Sequence, residues 1–209
     1  MLKRAGCTLY LAQETDTLGK DSELASTLAQ GKVVIAYVPQ VAEGEEAQYT
    51  TTLLETAAEL YPGRNTKELL TRQLQVYAPR LAWENADIRR WIDNPESCSE
   101  EDMRELLGRT IRQFYNERAE TLKSTHPLGI QVHLGTGVAN GVIVARTISE
   151  CVELIDRVLM NRLEFEIDER TIGGSTYLHL REKITGSVFR VVTGDRFLTH
   201  TFWNFYPRS

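Results

Sequence analysis

The chain of 209 residues has only three cysteines, Cys7, Cys98 and Cys151, odd in number and widely scattered. A disulfide scaffold is excluded, there is no CxxC pair, and no cysteine stands at zinc-finger spacing from a histidine. His126, His133, His179 and His200 are equally dispersed, so no metal site is expected. No apolar stretch approaches the roughly 18 to 20 residues of a bilayer span. Met1-Leu2-Lys3-Arg4 leads into a strand-like run without a signal-peptide h-region, so no membrane partner is expected. Positive charge is also short: 24 Lys plus Arg face 29 Asp plus Glu, for a net charge of -5. Nucleic acid and anionic lipid both reward a positive excess, which disfavours them as general partners. What remains is an ordinary globular composition, 42% hydrophobic and 25% charged, enough for one good core or two small ones. Unpaired thiols suit a reducing compartment, and the expected location is cytoplasmic. Cys7 and Cys151 lie in apolar runs and are expected to pack as small hydrophobes.

Three segments follow one another. In residues 1–42, Cys7-Thr8-Leu9-Tyr10-Leu11-Ala12 and Val33-Val34-Ile35-Ala36-Tyr37-Val38 read as strands covered on both faces, the second stopped by Pro39. Between them Asp21 or Ser22 can cap a helix carrying Leu24, Ala25 and Leu28, and Gly31 supplies its stop. Residues 43–125 turn helical, with predicted spans Glu45–Tyr61, Thr66–Glu84, Ala86–Asp93 and Ser99–Ser124, broken at Pro62-Gly63, near Pro79 and at Asn94-Pro95. Ser99 with Asp102 is a start signal, and Met103, Leu106, Leu107, Ile111 and Phe114 mark a core stripe. Residues 126–209 are mixed: strands at Gly129–Leu134, Val142–Ala145, Leu163–Ile167, Thr176–Arg181 and Ser187–Val192, a helix at Ser149–Met160, and a turn at Thr185-Gly186. The fold class is α/β: a partial Rossmann-like, flavodoxin-like parallel unit, a helical insertion and a C-terminal mixed α/β segment.

Several motifs read better as structure than as sites. Gly135-Thr136-Gly137-Val138-Ala139-Asn140-Gly141 has the spacing GxGxxxG, yet a strand-like run follows it instead of the helix that would hold a phosphate. Asn140-Gly141 is a favoured hairpin pair, so a turn is expected. The aromatic stretch Phe197–Tyr206 has few basic neighbours and suits a terminal segment docked on the core better than a base-stacking surface. Asp87-Ile88-Arg89-Arg90-Trp91 reads as a charged helix face.

Glu23 is the strongest chemical candidate. It stands in Gly19-Lys20-Asp21-Ser22-Glu23-Leu24-Ala25, in the first turn of the predicted helix, just beyond the carboxyl end of the first strand. That rim is where open α/β sheets bind ligands. A carboxylate there can stabilise the oxocarbenium-like transition state of a breaking glycosidic bond, or attack C1′.

The run from Asp21 through Gly31-Lys32 to Tyr37 resembles the acidic-helix motif of Rossmann-like N-glycosidases, among them bacterial Toll/interleukin-1 receptor (TIR) domains and nucleoside 2-deoxyribosyltransferases. Those families carry a helix-borne Glu, a small-residue face, Gly-Lys and an apolar strand. The resemblance covers residues 7–39. It implies a catalytic Glu23, with Gln13, Asp21 and Ser22 lining the substrate pocket, and no cofactor. It also implies a nucleotide or nucleoside substrate, NAD in the TIR case, which those enzymes cleave to release nicotinamide. In the families, strand-helix units ahead of this point build the rest of the sheet, whereas six residues precede the first strand here. A longer chain, a second copy or partner protein completing the sheet, or the C-terminal strands would each fill the gap. The expected function is therefore a TIR-like NAD or nucleoside glycosidase in a bacterial stress or antiphage system. The alternative is a non-enzymatic nucleotide-sensing or scaffold protein with a degenerate Rossmann-like unit, and a nucleoside transferase is a third.

Overall fold

The structure, a computed structural model, describes residues 4–12, 18–30, 32–77, 86–124, 132–134, 137–140, 142–172 and 175–191. The expectations for Gln13, the break at Pro79, the helix beyond Tyr77, His126, His200 and the aromatic stretch Phe197–Tyr206 lie outside the described residues. Along the chain run β1 (Cys7–Leu11), α1 (Leu18–Ala29), β2 (Val33–Tyr37), α2 (Glu46–Leu60), α3 (Thr66–Tyr77), α4 (Ala86–Asp93) and a 3-10 turn (Pro95–Ser97). There follow α5 (Glu100–Ser124), β3 (Val132–Leu134), β4 (Gly137–Asn140), β5 (Ile143–Ala145), α6 (Ile148–Leu159), β6 (Phe165–Ile172), β7 (Ser175–Glu182) and β8 (Val188–Val191). No helix among the described residues is long and apolar enough to cross a membrane. The chain is mixed α/β and forms two units, one from residues up to Pro39 together with those from Arg118 onward, the other from Gln40 to Glu117.

The first unit contains a parallel sheet in the order β1-β2-β5, with Leu9 beside Ile35 and Ile35 beside Ile143. Near-continuous apolar strands need cover on both faces, and two helices supply it. On one face α1 sets its buried Leu24, Thr27 and Leu28 toward the sheet, and the Thr27 hydroxyl meets that of Thr8 at 2.8 Å. On the other, Ile35, Ile143 and Ala145 form a buried cluster with Cys151 and Leu154 of α6 and with Leu163. Cys7, half-buried, packs against that same cluster. β5, from the C-terminal segment, thus fills the place beside β2.

An antiparallel sheet in the order β3-β4-β8-β7-β6 belongs to the same unit. β7 and β8 are joined through Thr185-Gly186, where Gly186 takes φ +69°, the left-handed geometry a side chain resists. Inside this turn Glu182 is fully buried. Its carboxylate accepts from the Ile184 and Thr185 amides at 3.1 and 2.8 Å and from the Thr185 hydroxyl at 2.8 Å. The Ser187 hydroxyl, 2.8 Å from that of Thr185, accepts the Val144 amide at 2.9 Å and so fastens the turn to β5.

Two expectations are corrected. No hairpin joins β4 to β5, since β4 pairs with β3 and β8 while β5 pairs with β2, and Gly141 between them lies outside the described residues. Helix α1 is already formed at Leu18, so neither Asp21 nor Ser22 is its N-cap. Asp and Ser stand inside helices as well as at their caps, and here Leu18, Gly19 and Lys20 form a helical turn ahead of them.

The second unit is helical. Leu54 and Ala57 of α2, Leu69, Leu70 and Leu74 of α3, Ile88 of α4 and Met103, Leu107 and Ile111 of α5 are buried. Ser99 caps α5 as expected, its hydroxyl accepting the Asp102 amide at 3.1 Å and donating to the Asp102 carboxylate at 2.6 Å. α2 crosses α5 at Gly108, where an added Cβ would stand 2.8 Å from Glu46 Cβ. Tyr77 and Phe114 meet edge to face with centroids 5.4 Å apart.

Candidate functional site

Glu23 is the sixth residue of α1, in its second turn, and is exposed. Its depth along the sheet follows from two hydrogen bonds. Thr27 lies level with Thr8 and its hydroxyl donates to the Glu23 carbonyl at 2.8 Å. Four residues of helix are about 6 Å, close to the two residues of strand from Thr8 to Tyr10. Glu23 therefore stands level with Tyr10, one residue short of the carboxyl end of β1, and its Cα–Cβ bond tilts toward the helix N-terminus and hence toward that rim. It flanks the buried stripe beside Leu24. The macrodipole's influence fades within the first turn, so a second-turn carboxylate owes it less than the expected first-turn position would. The Glu23 carboxylate makes no hydrogen bond or ion pair with any described residue.

Of the other expected site residues, Ser22 alone has a described side chain. Ser22 is exposed, and at 100° per residue it lies on the side of α1 away from Leu24, Thr27 and Leu28. Asp21 contributes backbone to α1, and its side chain is outside the described part of the structure, as is all of Gln13.

The carboxyl ends of the strands bring together residues the sequence reading did not single out. Arg118 of α5 donates to the Tyr10 hydroxyl at 3.3 Å. Arg146, directly after β5, donates to the Pro39 carbonyl beyond β2 at 3.1 Å. Burial pulls the Arg146 guanidinium below its usual range, while the Glu120 and Glu150 carboxylates pull it back up. Glu150 also closes a capping box: its carboxylate accepts the Arg146 amide at 2.6 Å and the Thr147 amide at 3.4 Å, and the Thr147 hydroxyl accepts the Glu150 amide. Arg146 was findable as an arginine immediately after an apolar strand. Arg118 was not, because its approach to Tyr10 is a tertiary contact. Glu23 bonds to neither arginine.

Chemically, this rim offers an exposed carboxylate on one side of the sheet and half-buried guanidinium groups already engaged with the Tyr10 hydroxyl and the Pro39 carbonyl. No group of three or more His, Cys, Asp or Glu among the described residues is arranged to hold a metal ion. Comparison of the chain with protein-family models, with curated proteins and with solved structures yields no match.

Proposed function

We propose that the β1-α1-β2 unit is the catalytic part of a TIR-like nucleotide or nucleoside N-glycosidase, acting on NAD or a related compound in a cytoplasmic bacterial stress or antiphage system. The observation that carries this reading is the exposed Glu23, on the helix that returns from the carboxyl end of β1 in a parallel sheet. The Glu23 carboxylate would face C1′ of the ribose, stabilising the oxocarbenium-like transition state or bonding to C1′. As the C1′–N bond breaks, its electron pair leaves with nicotinamide, which departs neutral. Water then adds to C1′, giving ADP-ribose and one proton. A second chain completing the sheet beside β1 belongs to this reading, because a glycosidase pocket must be walled to orient the sugar.

The test is nicotinamide release from NAD by the purified chain and by Glu23→Ala. The expected outcome is a loss of about 100-fold or more, the scale of one positioned catalytic group. Equal release by both proteins, or none by either under conditions that favour assembly, overturns the reading. One observation favours a non-enzymatic sensor or scaffold instead: the Glu23 carboxylate is not held by any described residue. In that case the wild type would bind a nucleotide without turning it over, and Glu23→Ala would bind it equally well.

A further inference from the structure

Among the described residues the outer flank of the parallel sheet is apolar and has no neighbouring strand. β1 is its edge strand among the described residues, and Leu9 and Leu11 on it are 43% and 50% exposed. Both share the sheet face on which α6 packs, since their register partners Ile35 and Tyr37 belong to or pack on the α6 cluster. α6 carries Ile148, Val152 and Leu159, each 63% exposed. With half-buried Ile155 between them, these lie four, three and four residues apart along one side of the helix. That side is turned toward β1, because Leu159 Cδ2 would stand 3.1 Å from a Cβ on Gly6. Isolated exposed leucines are ordinary, whereas a contiguous apolar patch beside an open strand edge marks an interface.

We propose that two copies of this chain pair through the outer edges of their β1 strands, antiparallel, about a twofold axis through Leu9. Three features favour a second copy over an unlike partner. The Ala12 amide donates to the Tyr37 carbonyl, so by alternation Thr8 and Tyr10 also turn their amides to β2, and Cys7, Leu9 and Leu11 turn theirs outward. That set is symmetric about Leu9: Cys7 of each copy faces Leu11 of the other, Leu9 faces itself, and every outward N–H finds a C=O. The α6 stripe, spaced four-three-four, reads the same in reverse. Finally, neither β1 nor the stripe contains a charged side chain, so the surface can meet its own copy without repulsion, as a twofold interface requires.

The geometry closes. Paired β1 strands put the two β2 strands three inter-strand spacings apart, about 14 Å. Helices in direct contact lie about 8–10 Å apart. The α6 helices, seated over β2 and β5, would thus flank a trough that Leu9 and Leu11 of both copies fill from below and the two stripes line from the sides. The sheet becomes six-stranded, and its central strands gain the neighbours they lack. Glu23 need not be catalytic for this to hold.

Sedimentation of the 209-residue chain over a dilution series should show a particle of twice 23.8 kDa that dissociates on dilution. Val152→Glu and Leu9→Lys should each weaken association by about tenfold or more while keeping wild-type circular dichroism. Leu60→Glu, at a residue 67% exposed in the helical unit, should leave it unchanged. Hydrogen exchange at Cys7, Leu9 and Leu11 should slow with rising concentration, and exchange at Thr8 and Tyr10 should not respond. A chain monomeric at every concentration, leaving the edge to another segment or another protein, overturns the proposal. So does a dimer indifferent to both variants, or β1 exchange independent of concentration. A Glu23→Gln chain that dimerises normally but releases no less nicotinamide than wild type counts against the glycosidase reading alone.

Discussion

At the scale of the residue, the contrast between Glu23 and Glu182 shows what one side chain's surroundings decide. Glu23 is in solvent, so its removal should leave the melting temperature nearly unchanged, and any loss of activity in Glu23→Ala reports chemistry. Glu182 is fully buried and satisfies three donors of its own turn. Glu182→Ala strands those donors and should lower stability by about 2–3 kcal/mol, read from the denaturant midpoint, with Glu182→Gln losing less. Gly108→Val should cost about 1–3 kcal/mol, because its Cβ would press on Glu46 Cβ at 2.8 Å and on the Glu46 carbonyl at 3.3 Å. The helix that carries Glu23 was legible because its segment has helical spacing after a strand, although Glu23 stands a turn deeper in it than expected. The burial of Glu182 was half-legible: it alternates with Leu180 and so faces inward, but nothing local reveals the turn that would satisfy its carboxylate.

At the scale of the element, periodic segments were readable and their ends less so. Ala86–Asp93 has the predicted bounds, and Ser99 with Asp102 marked the start of α5 because both capping partners lie within four residues. α1 was misjudged by a turn, since Asp and Ser also stand inside helices when an apolar stripe holds the turn before them. α6 begins in a closed capping box between Thr147 and Glu150. Thr147→Ala should remove about 1 kcal/mol, seen as a lower melting temperature. Strand existence was legible from apolar runs, yet the pair Asn140-Gly141 did not reveal that β4 and β5 belong to different sheets, because a favoured turn pair says nothing about which strands flank it.

At the scale of the whole molecule, sheet order was beyond local reading. β5 lies beside β2 although their paired residues Ile35 and Ile143 are far apart in the chain, and only tertiary packing makes that choice. The same packing sets a pH response. Burial pushes the thiols of Cys7, Cys98 and Cys151 above their ordinary value of 9.0, with nearby Asp102 adding to Cys98 and Glu150 to Cys151. Above that value the unfolded chain sheds protons the folded one keeps, so unfolding gains and stability falls as pH rises. Below it the thiols are neutral in both states and contribute no slope. Denaturant titrations should show the decline setting in above about pH 9, and Cys151→Ala should flatten it in proportion to that thiol's share.

The hydroxyl of Ser187 on the Val144 amide has a meaning for assembly as well as for the turn it fastens. Among the described residues β5 is the other border of the parallel sheet, and its Val144 N–H is already engaged from within the same chain. In the proposed dimer that amide, engaged by Ser187, would not be available to a further strand, whereas the two β1 edges would meet each other. Ser187 would then favour a finite particle over a growing ribbon.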